Sequence, residues 1–329
     1  MFFEVKRLCF SHYRAPMTLK DVSFSAEKNS KTLILASKDM GKTTMLKVLS
    51  GFEDSRFGNI YFNGKELKEI SDSEKKFSLV LSSPVLLENK TIKENIDYQC
   101  DVCGLEKLLD EQIKTEFEKF NLLKDINLKV KKLTAFEKRV IQIVRAFVKN
   151  PNVLFLDDQF ESLKDDEKLK MVEVYKKLLN DSKLTIIYTI GEDTFKFLKE
   201  NKISLNYQKV LYLNLANVQE FKSVDEFFDS YASLDALKFH DNCDFEMCYI
   251  EKEKEAYFLC REEFKLFKFD SKYNKELDKL KLEFGDIEEV LIYLKNGEKL
   301  AEIDSKEFNL MIKEKSIFIY SNLTGNLIM

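Results

Sequence analysis

The 329-residue chain is poor in several residue types and patterns that mark particular classes of protein. It has no tryptophan, only 9 glycines and 3 prolines, and no apolar run near the ~18 residues that a membrane-spanning helix needs. The N-terminus lacks the pattern of a signal peptide. The formal net charge of −4 and the pI of about 5.6 argue against nucleic acid as a main partner. Any contact with a membrane must therefore go through another protein.

Histidine and cysteine are also sparse. The chain has only His12 and His240, and its six cysteines are scattered. Cys100-x-x-Cys103 has the spacing of half a zinc site, but the sequence offers no second CxxC pair and no closely spaced histidines. We expect reduced, cytosolic thiols rather than a metal centre.

Short apolar runs alternate with amphipathic helical patterns over the first two thirds of the chain. The runs predict strands at 31–36, 153–156, 184–190 and 209–213, and the helical patterns cover 42–50, 105–122, 136–149 and 165–180. Buried strands that alternate with such helices indicate an α/β fold whose sheet is covered on its faces.

The last third of the chain has a different sequence pattern. Segments 256–269, 288–303 and 316–320 are aromatic or β-branched and partly alternating, and Asn296-Gly297 lies between two such runs as a strong hairpin signal. A chain of this length also exceeds what one core usually supports. We therefore predict a first domain over 1–213 and a small β-rich domain over 214–329.

The segment ASKDMGKTT, Ala36–Thr44, follows a predicted strand and opens a predicted helix. It fits the phosphate-binding pattern G-x-x-x-x-G-K-[ST] except for alanine at the first position. In such a loop, backbone N–H groups surround a phosphate, the lysine adds positive charge and the next hydroxyl binds Mg²⁺. The alternative is a chance G-K-T at a helix start, but an apolar run ending in Asp157 lies where a nucleotide-binding fold needs it. The candidate nucleotide ligands are Ser37, Lys38, Asp39, Met40, Gly41, Lys42, Thr43 and Thr44.

Five further segments carry a resemblance to a known family. They are 58–64 (GNIYFNG), 82–87 (SSPVLL), 91–96 (TIKENI), 133–137 (LTAFE) and 153–158 (VLFLDD). Together with the phosphate loop, and in unbroken order, they make residues 2–213 resemble the ATP-binding subunit of an ABC transporter. The spacing from Leu133 to Asp157 is the most specific feature, because other phosphate-loop proteins lack a signature helix there.

This resemblance implies a P-loop NTPase (ABC ATPase) sheet with a helical subdomain at about 92–145. It implies that ATP is bound with Tyr13 stacked on adenine. Thr43 and Asp157 would hold Mg²⁺, and Asp158 would be the catalytic carboxylate.

Two such subunits, forming a homodimer or a heterodimer, would act on a membrane permease. The chain would then be cytoplasmic and peripheral on the inner face of the cell membrane. Several importers of the family carry a C-terminal β-barrel for dimerisation or regulation, which the β-rich domain loosely resembles.

The positions that carry chemistry in that family are altered here. Asp39 brings a carboxylate towards the phosphates, where like charges ~4 Å apart repel by about 4 kcal/mol at an effective dielectric of 20. Asp158 is one methylene shorter than the usual glutamate, and a misplacement of ~1 Å costs on the order of a hundredfold in rate. Ser82 replaces the Q-loop glutamine and Ile190 the H-loop histidine. The chain is then either a slow ATPase or a pseudo-ATPase that binds nucleotide weakly beside an intact subunit.

The signature segment 133–137 also has two interpretations. Thr134-x-x-Glu137 before an apolar helical run is a capping box, which we expect to form. In the family, two glycines let the backbone approach a γ-phosphate across a dimer, and the side chains of Ala135 and Phe136 hinder that approach.

Two further alternatives stay open at the level of sequence. Phe10 or His12 could stack on adenine instead of Tyr13. The chain could also be a soluble regulatory protein without a permease, although 82–87 resembles the family's permease-contacting segment.

Overall fold

The computed structural model describes residues 1–13, 15–214, 216–230 and 239, together with six short strands in the C-terminal third. The chain divides into two compact units, Met1–Val224 and Asp225–Met329. Strand pairing continues to residue 221 within the first unit.

The first unit contains the following strands and helices. Its strands are β1 (Phe3–Phe10), β2 (Leu19–Ala26), β3 (Lys31–Leu35), β4 (Phe57–Phe62), β5 (Lys65–Glu66), β6 (Phe77–Val80), β7 (Val153–Leu156), β8 (Thr185–Ile190), β9 (Lys209–Asn214) and β10 (Asn217–Phe221). Its helices are α1 (Lys42–Leu49), α2 (Asp72–Lys75), α3 (Ile92–Cys103), α4 (Asp110–Lys119), α5 (Ala135–Phe147), α6 (Asp165–Leu179) and α7 (Glu192–Glu200), with 3-10 turns at Leu67–Glu69 and Val130–Lys132.

The main sheet has the strand order β10-β9-β3-β8-β7-β6. All neighbours in it pair in parallel except β10, which is antiparallel to β9. Every residue of β3, β7 and β8 is buried, which is why these strands appear in the sequence as continuous apolar runs. The α/β fold and the four predicted strands are confirmed, whereas the helix predicted over 105–122 is limited to α4.

A second, antiparallel sheet has the order β2-β1-β4-β5. A hydrophobic core connects it with the main sheet, and four phenylalanine rings form the centre of that core. Phe77 packs against Phe3, Phe62 and Phe155 with ring centroids 5.0–6.0 Å apart. These aromatic side chains are core residues.

The parallel sheet explains where a site can form. Because the carboxyl ends of parallel strands lie at one edge, the loops that follow β3, β6, β7 and β8 open onto that edge together. The helices α3, α4 and α5 follow one another over 92–147 without an intervening strand. The loop after β6 is the segment that leads into this helical region.

The second unit contains most of α8 (Val224–Ser230) and three antiparallel strand pairs. They are β11 (Phe258–Leu259) with β16 (Ile319–Tyr320), β12 (Lys265–Leu266) with β15 (Leu310–Met311), and β13 (Glu289–Tyr293) with β14 (Lys299–Asp304). Asn296-Gly297 lies outside the described residues, between the paired strands β13 and β14. The extent of this domain and its role in dimerisation or regulation stay predictions.

Candidate functional site

The loop between β3 and α1 turns at two residues with left-handed backbone. Asp39 has φ 63°, and Gly41, the N-cap of α1, has φ 93°. A Cβ on Gly41 would lie 2.7 Å from Thr18 Cγ2, so space and conformation both require glycine there. Ala36 is fully buried and is not among the described residues with positive φ. Alanine at the first position of the pattern is therefore compatible with this loop.

The outer part of the loop carries the two charged side chains. Lys38 and Asp39 are exposed to solvent, whereas Met40 packs against the hydrophobic core. Water screens an exposed carboxylate, so a repulsion of about 4 kcal/mol falls towards about 1 kcal/mol at the same separation. Asp39 thus weakens the attraction for an anion at this loop without abolishing it.

The inner part of the loop holds polar groups that a ligand could use. Lys42 Nζ donates hydrogen bonds to the carbonyl oxygens of Ala36 (3.2 Å) and Ser37 (3.0 Å). Ser37 Oγ is buried and has no partner among the described residues. Buried polar groups are normally paired, and an ammonium binds a phosphate more strongly than it binds neutral carbonyls. Both groups therefore fit a bound phosphate.

The Asp157 carboxylate accepts hydrogen bonds from three surrounding segments of the chain. It follows β7, is 1% exposed and accepts from Thr43 Oγ1 at 2.6 Å through Oδ2. Its Oδ1 accepts from Thr189 Oγ1 at 2.9 Å, and the Ser82 N–H lies 3.4 Å from Oδ2. The structure thus brings together Thr43 and Asp157, the two predicted Mg²⁺ ligands. A hydroxyl and a carboxylate are the oxygen donors that Mg²⁺ accepts, so the pair fits this ion.

Asp158 is held by a different set of donors, two of which belong to the start of α7. Oδ2 accepts from the Gly191 N–H at 2.7 Å, while Oδ1 accepts from the Phe160 N–H at 3.1 Å and from Thr194 Oγ1 at 3.0 Å. Burial raises the pKa of Asp158 to about 6, and these hydrogen bonds and the nearby Lys42 oppose the rise. Gly191 precedes α7 and Thr194 lies in its first turn, so the carboxylate caps that helix.

Sequence reasoning missed three residues that shape these carboxylates. Thr189 at the end of β8 and Thr194 in α7 supply the hydroxyl donors described above. At Gly191, a Cβ would lie 3.2 Å from Asp158 Oδ2 and 3.5 Å from Lys42 Nζ, so a side chain there would crowd both groups. The available signal was their place at the end of β8 or just after it, beside the strand that precedes Asp157. The adjacent Ile190, in place of a histidine, is 1% exposed.

The signature segment forms the predicted capping box. Thr134 Oγ1 accepts from the Glu137 N–H, and Glu137 Oε2 accepts from the Thr134 N–H at 2.9 Å. The N–H of Phe136 lies 3.4 Å from Glu167 Oε1, and the Phe136 side chain is 8% exposed. Three of the N–H groups at the start of α5 therefore have partners within the chain.

The three aromatic candidates for a nucleotide base have different environments. Tyr13 is 81% exposed, whereas Phe10 is buried. His12 packs edge-on against Phe10, with centroids 5.0 Å apart, and its Nε2 lies 3.4 Å from Thr44 Oγ1 on α1. Tyr13 has the exposed face that stacking requires, and His12 contacts Thr44 at the end of the phosphate loop.

Residues 19–161 match the ABC transporter family. The chain is 24% identical over 240 residues to the spermidine/putrescine import ATP-binding protein PotA of Clostridium novyi, covering 72% of this chain and 66% of the relative. It is 23% identical over 221 residues to the Fe(3+) ions import ATP-binding protein FbpC of Fusobacterium nucleatum, covering 63% of this chain and 58% of the relative. The matched segment thus spans somewhat less than two thirds of the length of these relatives.

Solved structures show the same fold. An ATP-binding subunit of an ABC transporter aligns with a TM-score of 0.57 and 21% identity, over 70% of this chain and 93% of the other. A dimeric ATP-binding cassette in a post-hydrolysis state, bound to ADP and Pi, aligns with a TM-score of 0.55 and 19% identity, over 67% of this chain and 98% of the other. With the order of motifs and the geometry at the edge of the sheet, these matches lead to one conclusion. The chain carries an ABC transporter ATP-binding domain.

Proposed function

We propose that this chain binds Mg-ATP and acts as the ATP-binding subunit of an ABC importer. The observation that carries the proposal is the 2.6 Å hydrogen bond between Thr43 Oγ1 and Asp157 Oδ2, beside a phosphate loop with an unpartnered buried Ser37 hydroxyl. Residues 37–44 would bind the phosphates, Thr43 and Asp157 the Mg²⁺, and Tyr13 the adenine. When bound, Mg²⁺ supplies positive charge that neutralises the phosphate oxygens.

The permease is the second part of the proposal. Both named relatives are import proteins by their printed names, which favours an importer. No helix among the described residues has the length and apolarity to cross a bilayer. The chain would reach the inner face of the cell membrane by docking on a permease, as one of two ATP-binding subunits. A groove lined in part by Phe52, Leu79, Val85 and Gln99, next to the loop after β6, is the surface we assign to that contact.

We propose that hydrolysis is slow. Both oxygens of Asp158 accept hydrogen bonds from the protein, which fix this short carboxylate against the start of α7 and leave it one acceptor site, on Oδ2, to orient a water. This observation favours a second candidate function, in which the chain binds nucleotide but leaves hydrolysis to an intact partner subunit. The two candidates share the Mg-ATP site and differ only in turnover.

Isothermal titration calorimetry tests the shared part of the proposal. Wild type should bind ATP more tightly with Mg²⁺ than with EDTA, because Thr43 and Asp157 contact the nucleotide through the ion. Lys42→Ala should weaken Mg-ATP binding by roughly 10- to 100-fold, the range for losing a charge-assisted hydrogen bond. Lys38→Ala removes an exposed side-chain charge from the same loop but keeps the backbone N–H that would bind a phosphate, and it serves as the matched control. Absence of any Lys42-dependent heat would refute nucleotide binding.

Steady-state ATPase assays separate the two candidates. A slow ATPase should turn over ATP measurably above Lys42→Ala. A pseudo-ATPase should match Lys42→Ala. Asp158→Glu adds the methylene that the family's glutamate has, and a gain in turnover by this variant would assign the low activity to that position.

A further inference from the structure

A buried arginine joins two loops that flank the candidate nucleotide site. Arg139 lies in α5, is 5% exposed, and its guanidinium donates hydrogen bonds to the carbonyl oxygens of Ser82 and Glu161. It forms no salt bridge within the described part of the chain, and its Nε is buried there without a partner. The charge is therefore held by backbone carbonyls.

Each of these carbonyls belongs to a segment with a place in the site. Ser82 follows β6, and its own N–H lies 3.4 Å from Asp157 Oδ2. Glu161 lies in the loop between Asp158 and α6, at the position of the family's D-loop, where 161–164 departs from the usual S-A-L-D. With one nitrogen, Arg139 thus binds Ser82, whose N–H contacts the proposed Mg²⁺ ligand Asp157. With another nitrogen it binds the loop at Glu161.

The turn at Ser82 is held by further amide groups nearby. Leu81 O accepts from Gln159 Nε2 at 2.9 Å and from Gln142 Nε2 at 3.5 Å. Gln142 lies one turn after Arg139 on α5, so the helix contacts two successive carbonyls of this turn. Ser82, which replaces a glutamine, has a side chain too short to make such a connection, and the contacts run through its backbone.

We propose that Arg139 is a positioning residue that couples the turn at Ser82, and through it Asp157, to the loop at Glu161. A guanidinium is a planar, rigid fork, so it fixes the distance between two carbonyls that it bonds at once. A shift of either loop breaks a hydrogen bond to a buried charge, which makes the two loops move together. The meaning of this coupling for nucleotide rests on the proposed function, but the coupling itself is a property of the protein alone.

The electrostatic surroundings of Arg139 agree with this role. Burial lowers the pKa of Arg139, and Tyr175 together with the carboxylates of Asp158, Glu161 and Glu167 opposes the fall. A buried charge whose hydrogen-bond partners move away is strongly unfavourable. The two carbonyls are therefore required at the same time.

Amide hydrogen exchange of the nucleotide-free protein tests the coupling directly. The reporters are the N–H of Ser82, bonded to Asp157, and the N–H of Leu163, which donates to Phe160 O at 3.1 Å. In Arg139→Met both amides should exchange faster, by on the order of tenfold, because both loops lose a hydrogen bond to a charged group. Acceleration of one amide alone, or of neither, would overturn the proposal.

Arg145→Met is the matched control on the same helix. Arg145 donates to Val85 O at 2.6 Å and contacts neither Ser82 nor Glu161, so neither reporter amide should change. If both variants accelerate both amides equally, the effect is a general loosening and the coupling is wrong. Should Arg139→Met fail to fold, Arg139→Lys replaces it. A lysine bonds one carbonyl at a time and should accelerate both amides by a smaller factor.

The ratio of ATP affinities with Mg²⁺ and with EDTA gives a second readout that lost stability alone would not move. The ratio should fall by about tenfold in Arg139→Met, because Asp157 loses its support, and it should be unchanged in Arg145→Met. If wild type binds no ATP, the proposed function fails, and the exchange measurement alone decides the coupling. If wild type binds and the ratio is unchanged in Arg139→Met, the link to Asp157 is wrong while nucleotide binding stands.

Discussion

Replacing Asp158 by asparagine tests whether burial or hydrogen bonding dominates at this carboxylate. Burial raises its pKa from the ordinary 3.8 to about 6, against the opposing effect of the donors on Gly191, Phe160 and Thr194. Because the folded-state pKa lies above the unfolded one, the folded protein binds the extra proton between these two values. Its stability therefore decreases as pH rises through that window. The difference between the two pKa values corresponds to roughly 3 kcal/mol of stability, absent at neutral pH.

Asparagine has nearly the same shape as aspartate and does not titrate, so it removes the pH-dependent contribution. It also loses one accepting oxygen, but that cost does not vary with pH and cancels when the difference is compared across pH values. Urea unfolding followed by circular dichroism, at several pH values from about 3 to about 7, gives the free energy of unfolding of both proteins. The free energy of unfolding of wild type minus that of Asp158→Asn should fall by roughly 3 kcal/mol over that range. For a domain of this size the same change is about 6–12 °C in Tm.

Asp193→Asn, at an exposed position on the same helix α7, controls for the loss of one negative charge. The free energy of unfolding of wild type minus that of Asp193→Asn should not fall in this way as pH rises. A difference that rises with pH would mean that the three donors outweigh burial, and a flat difference would mean that Asp158 is not in the buried, capping position. The first result would refute the argument that burial dominates at Asp158, and the second would refute the argument that its carboxylate is committed to the protein.

Three further predictions concern neighbouring residues. Thr189→Val should weaken Mg-ATP binding by about tenfold in calorimetry, with ATP binding in EDTA unchanged, because Asp157 Oδ1 loses its 2.9 Å donor; equal losses in both conditions would contradict this. Gly41→Ala should lower the free energy of unfolding by about 1–3 kcal/mol in urea titrations, because its Cβ would meet Thr18 at 2.7 Å with φ at 93°; a Tm equal to that of wild type would show that the loop relaxes freely. Thr134→Val should cost about 1 kcal/mol of stability by removing the cap of α5, and Thr134→Ser should restore it.

Local spacing was sufficient to predict the elements that carry the site. The strand, loop and helix over 31–49 follow from an apolar run, a glycine and a lysine in the order that a phosphate loop requires, and the structure confirms β3 and α1 there. The capping box of Thr134 and Glu137 was predictable because both of its hydrogen bonds close within one helical turn. The pairing of Thr43 with Asp157 was expected only through the resemblance to a family.

The sequence by itself determined the α/β class, the phosphate loop and the cap of α5, because each depends on residues a few positions apart. Only the tertiary structure decided what the two carboxylates after β7 do. Thr189 reaches Asp157 from 32 residues away, Gly191 and Thr194 bind both oxygens of Asp158, and Arg139 reaches Ser82 from 57 residues away. These contacts depend on the strand order β3-β8-β7-β6, which places loops distant in sequence at one edge of the sheet. The order of strands is set by the packing of the whole core, so no local pattern could reveal which side chains would meet there.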